Sequence, residues 1–146
     1  MRFTDGYWMI RSQFRMSYAV ETFRTQKDDK SLSVLAATNH ISNRGSILNA
    51  ATLDVRFTAP MPGVIGVEIT HFRGTRAKAP DYSLNFEPVT PSIEEDEHSC
   101  RFASGELSAC VHKAASGWTV DYLAGGRMLT SSGPRGMAHA RDESTG

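Results

Sequence analysis

Leu48-Asn49-Ala50-Ala51-Thr52-Leu53-Asp54-Val55-Arg56-Phe57-Thr58-Ala59-Pro60-Met61-Pro62-Gly63-Val64-Ile65-Gly66-Val67-Glu68-Ile69-Thr70-His71-Phe72 is the stretch whose reading decides the fold. Leu53, Val55 and Phe57 alternate with Asp54, Arg56 and Thr58. Successive side chains of a strand point to opposite faces, so this segment has one apolar and one polar face. Pro60, Pro62 and Gly63 interrupt it, because proline removes a ladder donor and glycine accepts turn conformations. Ile65, Val67, Ile69 and His71 then alternate with Gly66, Glu68, Thr70 and Phe72. Two half-buried strands joined by a Pro/Gly loop predict an antiparallel pair with a common apolar face.

Working outward, Asp5-Gly6 is a turn signal and Tyr7 to Ile10 a short strand candidate. Tyr18 to Thr25 is rich in β-branched and aromatic residues and reads as a strand. After the charged turn Lys27 to Lys30, Leu32, Val34 and Ala36 complete a hairpin. Asn39 to Ser46 is polar and reads as a loop. Beyond Phe72, Gly74 to Pro80 has no periodicity, and Tyr82, Leu84 and Phe86 resume alternation. Glu94-Glu95-Asp96-Glu97 places four carboxylates in a row, which suits a solvated strand end or loop rather than an acidic site. From Ser99 onward short strands follow closely: Cys100 with Phe102, Leu107 with Ala109 and Val111, Trp118 with Val120 and Tyr122. Gly125-Gly126 is a two-residue hairpin signal. Short strands at regular spacing with Gly/Pro turns predict an all-β, antiparallel sandwich or barrel, and no window reads as a capped amphipathic helix. The expected sandwich domain runs over residues 1–130. Residues 131–146 have Met137 as their one larger apolar side chain and read as a flexible polar tail or a truncated continuation.

The chain's 146 residues suit one domain with a sizeable core. Sixteen Lys plus Arg balance sixteen Asp plus Glu. That balance argues against a general nucleic-acid or membrane-surface binder, either of which would show a basic excess. No run is long and apolar enough to span a bilayer, and Met1 to Trp8 lacks the apolar core of a signal peptide, so a cytoplasmic location is expected. Cys100 and Cys110 are then expected as buried thiols rather than as a cross-hairpin disulfide.

Hydrolysis needs a nucleophile beside a base, or two opposed carboxyls. The sequence holds neither a Gly-x-Ser-x-Gly elbow nor a phosphate-binding glycine loop. His40, His71, His98, His112 and His139 are scattered without metal-ligand spacing. His98 with Cys100, and Cys110 with His112, are i, i+2 pairs, yet zinc signature spacings are missing and no metal site is expected. His71 reads as a hydrogen-bonded residue at the end of the core. Trp118, in step with Val120 and Tyr122, reads as core, whereas Trp8 divides between core packing and a sugar-stacking platform.

Four segments resemble the N-terminal domain of glycoside hydrolase family 31, in its bacterial α-xylosidase branch. They are Phe3 to Ile10 with its Asp-Gly-x-Trp core, Leu48-Asn49 through Phe57, Pro60 through the Ile69-Thr70-His71-Phe72 strand, and Pro80 to Asn85. Gly105 to Ser108 and Trp118 to Leu123 fit more weakly, and the resemblance extends from Met1 to about Thr130. It implies a galactose-mutarotase-like β-sandwich, incomplete here. In the family this sandwich precedes a (β/α)₈ barrel that carries an aspartate nucleophile and an aspartate acid/base for retaining hydrolysis. Such a barrel needs about 250 residues, so no catalytic residue is expected in this chain and the chain alone is expected to be inactive.

The resemblance further implies no metal or organic cofactor, an oligosaccharide substrate with terminal α-linked xylose or glucose, a catalytic barrel as covalent partner, and a homo-oligomer. In the α-xylosidase branch a loop before the central strand reaches a neighbouring subunit's active site. That loop corresponds to Arg44 to Asn49, which makes Asn49 a candidate substrate contact; the competing reading is a turn asparagine. The alternative function is a free-standing carbohydrate-binding or protein-interaction sandwich with Trp8 and Tyr82 as sugar contacts. An unfinished sandwich is expected to leave an apolar edge exposed and to self-associate.

Overall fold

The deciding stretch folds into two antiparallel strands in the computed structural model, which describes residues 9–48, 50–72, 74, 85–113 and 117–145. In chain order the strands are β1 Phe14–Tyr18, β2 Glu21–Lys27, β3 Ser31–Ala37, β4 Thr52–Thr58, β5 Gly66–Thr70, β6 Ser92–Glu95, β7 Ser99–Ser104, β8 Leu107–His112, β9 Thr119–Ala124, β10 Arg127–Ser132 and β11 Ala138–Asp142. They form a four-stranded sheet β2-β3-β4-β5, a five-stranded sheet β10-β9-β8-β7-β6 and a two-stranded ribbon β1-β11. The pairings are antiparallel, and the fold is an all-β sandwich.

Alternation places the core between the two larger sheets. Leu32, Val34 and Ala36 of β3 and Leu53, Val55 and Phe57 of β4 are buried from one side. Cys100 and Phe102 of β7, Ala109 and Val111 of β8, Val120 of β9 and Trp118 just before it join them from the other in one cluster. The Phe57 and Phe102 rings meet at 6.3 Å between centroids, tilted by 31°. Trp118 is fully buried as its parity predicts, and its indole N–H donates to Thr22 Oγ1 at 3.0 Å, so the one polar atom of the ring is satisfied across the sandwich. At the β9–β10 hairpin Gly125 and Gly126 both take positive φ, +55° and +81°, as a tight two-residue turn demands.

Several expectations are corrected. The apolar face of β5 is not covered: Val67 lies opposite Phe57 and Ile69 opposite Val55, yet they are 37% and 45% exposed while their partners are 0%. β5 is the edge strand of its sheet. At the edge of the five-stranded sheet, Met128 and Leu129 of β10 are also exposed. The Val67 and Ile69 stripe matches the expected apolar edge. The segment read as one strand from Tyr18 to Thr25 is two pieces. Tyr18 ends β1, and β2 carries a bulge at Phe23 between the pairs Thr22↔Ala36 and Arg24↔Leu35. The extra residue shifts the phase by one, so Thr22 and Thr25 both face the core side. Phe86 lies in an irregular stretch rather than a strand and is half exposed; Tyr82 and Leu84 lie outside the described residues.

Residues 131–146, expected as a tail or a continuation, carry the end of β10 and all of β11. Composition misled because the segment's order comes from backbone partners and one anchor. β1 pairs with β11 from Phe14↔Asp142 to Tyr18↔Ala138, Ala19 N–H donates to Met137 O, and Met137 is buried in the main core.

Candidate functional site

The loop between β3 and β4 was singled out by sequence. Its base is closed by Thr38, whose backbone N–H and hydroxyl both donate to Ala51 O, at 3.3 and 2.7 Å. Glu21 of β2 fastens the loop's first half, accepting from Ile41 N–H at 2.8 Å and lying 3.0 Å from His40 Nδ1. A short 3₁₀ helix follows, Arg44–Ile47. Asn43 caps it: its Oδ1 accepts from Gly45 N–H at 2.8 Å, and Ser46 Oγ accepts from Asn43 N–H at 3.3 Å. Two reciprocal side-chain bonds satisfy donors that the first turn leaves orphaned. The helix ends at Leu48, whose side chain is 70% exposed on the outer surface. A loop pinned at its base and capped inside, with a bare leucine at its crest, can present its crest to another surface. Asn49 and Trp8 themselves lie outside the described residues.

The histidines do not converge. Cys100 faces the core, where burial pushes its thiol up to about 12, and Cys110 sits opposite Arg101 on the other face of the sheet. The two thiols are free and point to opposite sides, so neither a bridge nor a shared zinc site with His98 and His112 can form. Against the expectation of two buried thiols, Cys110 is only half-buried. His112 Nε2 instead lies 2.7 Å from Asp121 Oδ2. Asp121 is held below the usual carboxylate range, first by the Ser131 hydroxyl and then by His112. Serine and histidine both bond the same carboxylate rather than forming a nucleophile–base pair, so the trio is a cross-strand polar tie.

His71 makes the expected hydrogen bond, with Nδ1 2.9 Å from Thr52 O, and its ring stacks on His139 at 4.0 Å. Burial, then His71 and Arg141, push His139 below its usual value. The acidic run is solvated only in part. Glu95 receives Lys113 Nζ at 2.8 Å and the Thr25 hydroxyl, tying β6 to β2 across the sandwich, and Lys113 also donates to Asp96 O at 2.7 Å. Asp96 accepts from the backbone N–H groups of His98 and Ser99, both at 2.7 Å, in a tight Asx turn. Sequence reasoning missed the Asp121 and Glu95 ties. The signal that could have found them is register: Cys110 pairs with Asp121, which brings Asp121 beside His112 two residues on.

Two antiparallel sheets packed face to face, with Asp121, His112, His71 and Glu95 engaged in structural ties, define the class: a β-sandwich without a hydrolytic constellation among the described residues. A solved structure of an uncharacterized protein from Listeria monocytogenes shares this fold with a TM-score of 0.60 at 10% identity, over 89% of this chain and 11% of that one. No family model matches the chain. Curated relatives are more particular. α-Xylosidase XylQ of Lactiplantibacillus pentosus is 29% identical over 132 residues, which is 90% of this chain and 17% of XylQ. An α-xylosidase of Emericella nidulans is 27% identical over 99% of this chain and 19% of its own length. The chain thus resembles part of the α-xylosidases of glycoside hydrolase family 31, and it spans under a fifth of the length of these relatives.

Proposed function

We propose that this chain is the N-terminal non-catalytic part of a retaining α-glycosidase of the α-xylosidase type, acting on terminal α-linked xylose or glucose in carbohydrate metabolism. The observation that carries the reading is that nearly the whole chain aligns with α-xylosidases while covering less than a fifth of them. In this reading a (β/α)₈ barrel elsewhere in the polypeptide performs the chemistry. The sandwich covers it, shapes the substrate entrance and supports contacts in a cytoplasmic homo-oligomer. The uncovered stripe of Val67 and Ile69 supports this, since apolar surface on the core-facing side of a sheet is where further polypeptide would sit. The pinned Thr38–Ala51 loop would carry Asn49 to a neighbouring subunit's substrate, and Trp8 would be a stacking surface for sugar.

The first test is the length of the natural polypeptide, read with an antibody against this region. A product of several hundred residues that hydrolyses p-nitrophenyl α-xyloside supports the proposal; a product ending at Gly146 overturns it. In the long form, Asn49→Ala should raise KM with little change in kcat. Unchanged kinetics would remove Asn49 from the site.

A further inference from the structure

The β1–β11 ribbon joins neither larger sheet by a ladder among the described residues. Side chains hold it to the body of the sandwich. Met137, just before β11, is buried in the main core, and Phe14, at the start of β1, is buried at the ribbon's other end. Between these anchors His139 of β11 lies against His71, which follows β5, with ring centroids 4.0 Å apart and planes tilted by 40°. His71 is fixed in turn by its Nδ1, 2.9 Å from Thr52 O at the start of β4. A carbonyl oxygen only accepts, so Nδ1 carries the hydrogen and Nε2 is the atom left to take a proton. The stack clips the ribbon to the β4–β5 end of the four-stranded sheet.

The charges around the stack are lopsided. Alternation puts His139 and Arg141 on one face of the ribbon, with Ser17 and Arg15 opposite them on β1. Arg15 is paired with Glu143 at 2.9 Å. Asp142 belongs to the ribbon's other face and accepts from Ser144 N–H at 2.9 Å. On the sheet, Asp54 and Glu68 alternate with Val55 and Val67 and so stand on the face away from the core. Glu21, which register places in the row of Ala37 and Thr52, already accepts from Ile41 N–H and lies 3.0 Å from His40 Nδ1. Among the described residues no carboxylate is set against His139. Burial, then His71 and Arg141, disfavour a proton on it.

We propose that the His71–His139 stack is a proton-operated clasp: with both rings neutral it holds the ribbon on the sheet, and a proton on His139 frees the ribbon while the Phe57–Phe102 core stays folded. The added charge sits beside Arg141 and against a second base, with no acid to balance it. His71 is exposed, so solvent reaches the pair. The sign follows from linkage. His139 is a base whose neutral form is favoured in the closed state, so closure is firm above the ordinary 6.5 and weakens below it. In the freed ribbon His139 regains that ordinary value, so going from pH 7.5 to 5.5 favours opening by up to about tenfold. The clasp is built wholly from this chain and does not rest on the glycosidase reading.

The test is hydrogen exchange of the ¹⁵N-labelled 146-residue chain, resolved amide by amide at pH 7.5 and 5.5 and corrected for intrinsic exchange. Ladder amides of β1 and β11 should exchange through a partial opening, with less protection than the amides of β3, β4 and β8. That opening should become up to about tenfold more frequent at pH 5.5. His139→Gln keeps a polar side chain that takes no proton, and should abolish the rise. His71→Gln keeps a donor for Thr52 O but removes the second base; it should shrink the rise, and it serves if His139→Gln does not fold. Ribbon amides as protected as those of the core, a ribbon opening that does not rise in acid, or an undiminished rise in the folded variant each overturns the proposal.

Discussion

Phe57 and Val67 face each other across the β4–β5 ladder on the same side of the sheet, yet the packing predicts very different consequences for truncating them. Phe57 is 0% exposed and meets Phe102 of the opposite sheet. Phe57→Ala removes a ring from a site that β-ladders on both sides hold open, so its cost lies at roughly 3–5 kcal/mol. Val67→Ala removes about 1.6 kcal/mol of transfer energy if fully buried. With 37% of the residue exposed, about 1 kcal/mol remains. Against a typical total of about 5–15 kcal/mol, the first variant is close to unfolding and the second is barely perturbed. Urea unfolding followed by far-ultraviolet circular dichroism measures both. With a slope of about 2 kcal/mol per molar, Phe57→Ala should lower the midpoint by roughly 2 M and Val67→Ala by roughly 0.5 M. Equal shifts would refute the face-to-face packing of the two sheets over β4 and the bare flank at β5.

Other outcomes follow from the polar ties. Asp121 has a lowered folded-state value, so its stabilisation is present above its ordinary 3.8 and is lost as pH falls below that. Asp121→Asn should therefore flatten the decline in melting temperature between pH 5 and about 2, and an unchanged slope would count against the Ser131–Asp121–His112 tie. His139 is also lowered but is a base; its neutral form is the stabilised one, so stability falls as pH drops below the ordinary 6.5. His139→Gln should lessen the loss of stability between pH 7 and 5, measured by thermal melts; an identical loss would show that the stacked pair does not titrate on folding. Lys113→Met should cost about 1–2 kcal/mol by leaving Glu95 without its main donor, read by the same urea assay. A thiol reagent at neutral pH should label Cys110 slowly and leave Cys100 untouched until the chain unfolds; rapid labelling of both would contradict the burial of Cys100.

Much of the fold was legible because alternation is a direct readout of which face is buried. Leu53, Val55, Phe57, Leu32, Val34 and Val120 all lie where their parity places them. Parity cannot say whether a second sheet reaches far enough to cover a strand, so Val67 and Ile69 were assigned to a core that stops short of them. The Phe23 bulge was hidden for a related reason: one inserted residue preserves strand-like composition while reversing the phase. β11 was invisible because its only apolar side chains, Ala138 and Ala140, are too small to signal a buried face, and the strand borrows its order from β1, far away in sequence. The capped loop before β4 was half legible. Asn43 and Gly45 signalled a turn, but the pinning by Glu21 and Thr38 depends on partners brought together only by the sheet.

The ribbon of β1 and β11 has a kinetic meaning. Gln13 and Asp142 touch across a separation of 129 residues, so this pairing closes nearly the whole chain into a ring. Closing a loop of that length in an unstructured chain costs roughly 4 kcal/mol, more than a five-residue ribbon recovers by itself. The hairpins β2–β3, β7–β8 and β9–β10 are local and can assemble early, and the two sheets must meet before the ends are near enough to pair. The ribbon is therefore a latch set last. Its opening is the lowest step on the way out of the native state, where amide exchange would begin while the Phe57–Phe102 centre still stands.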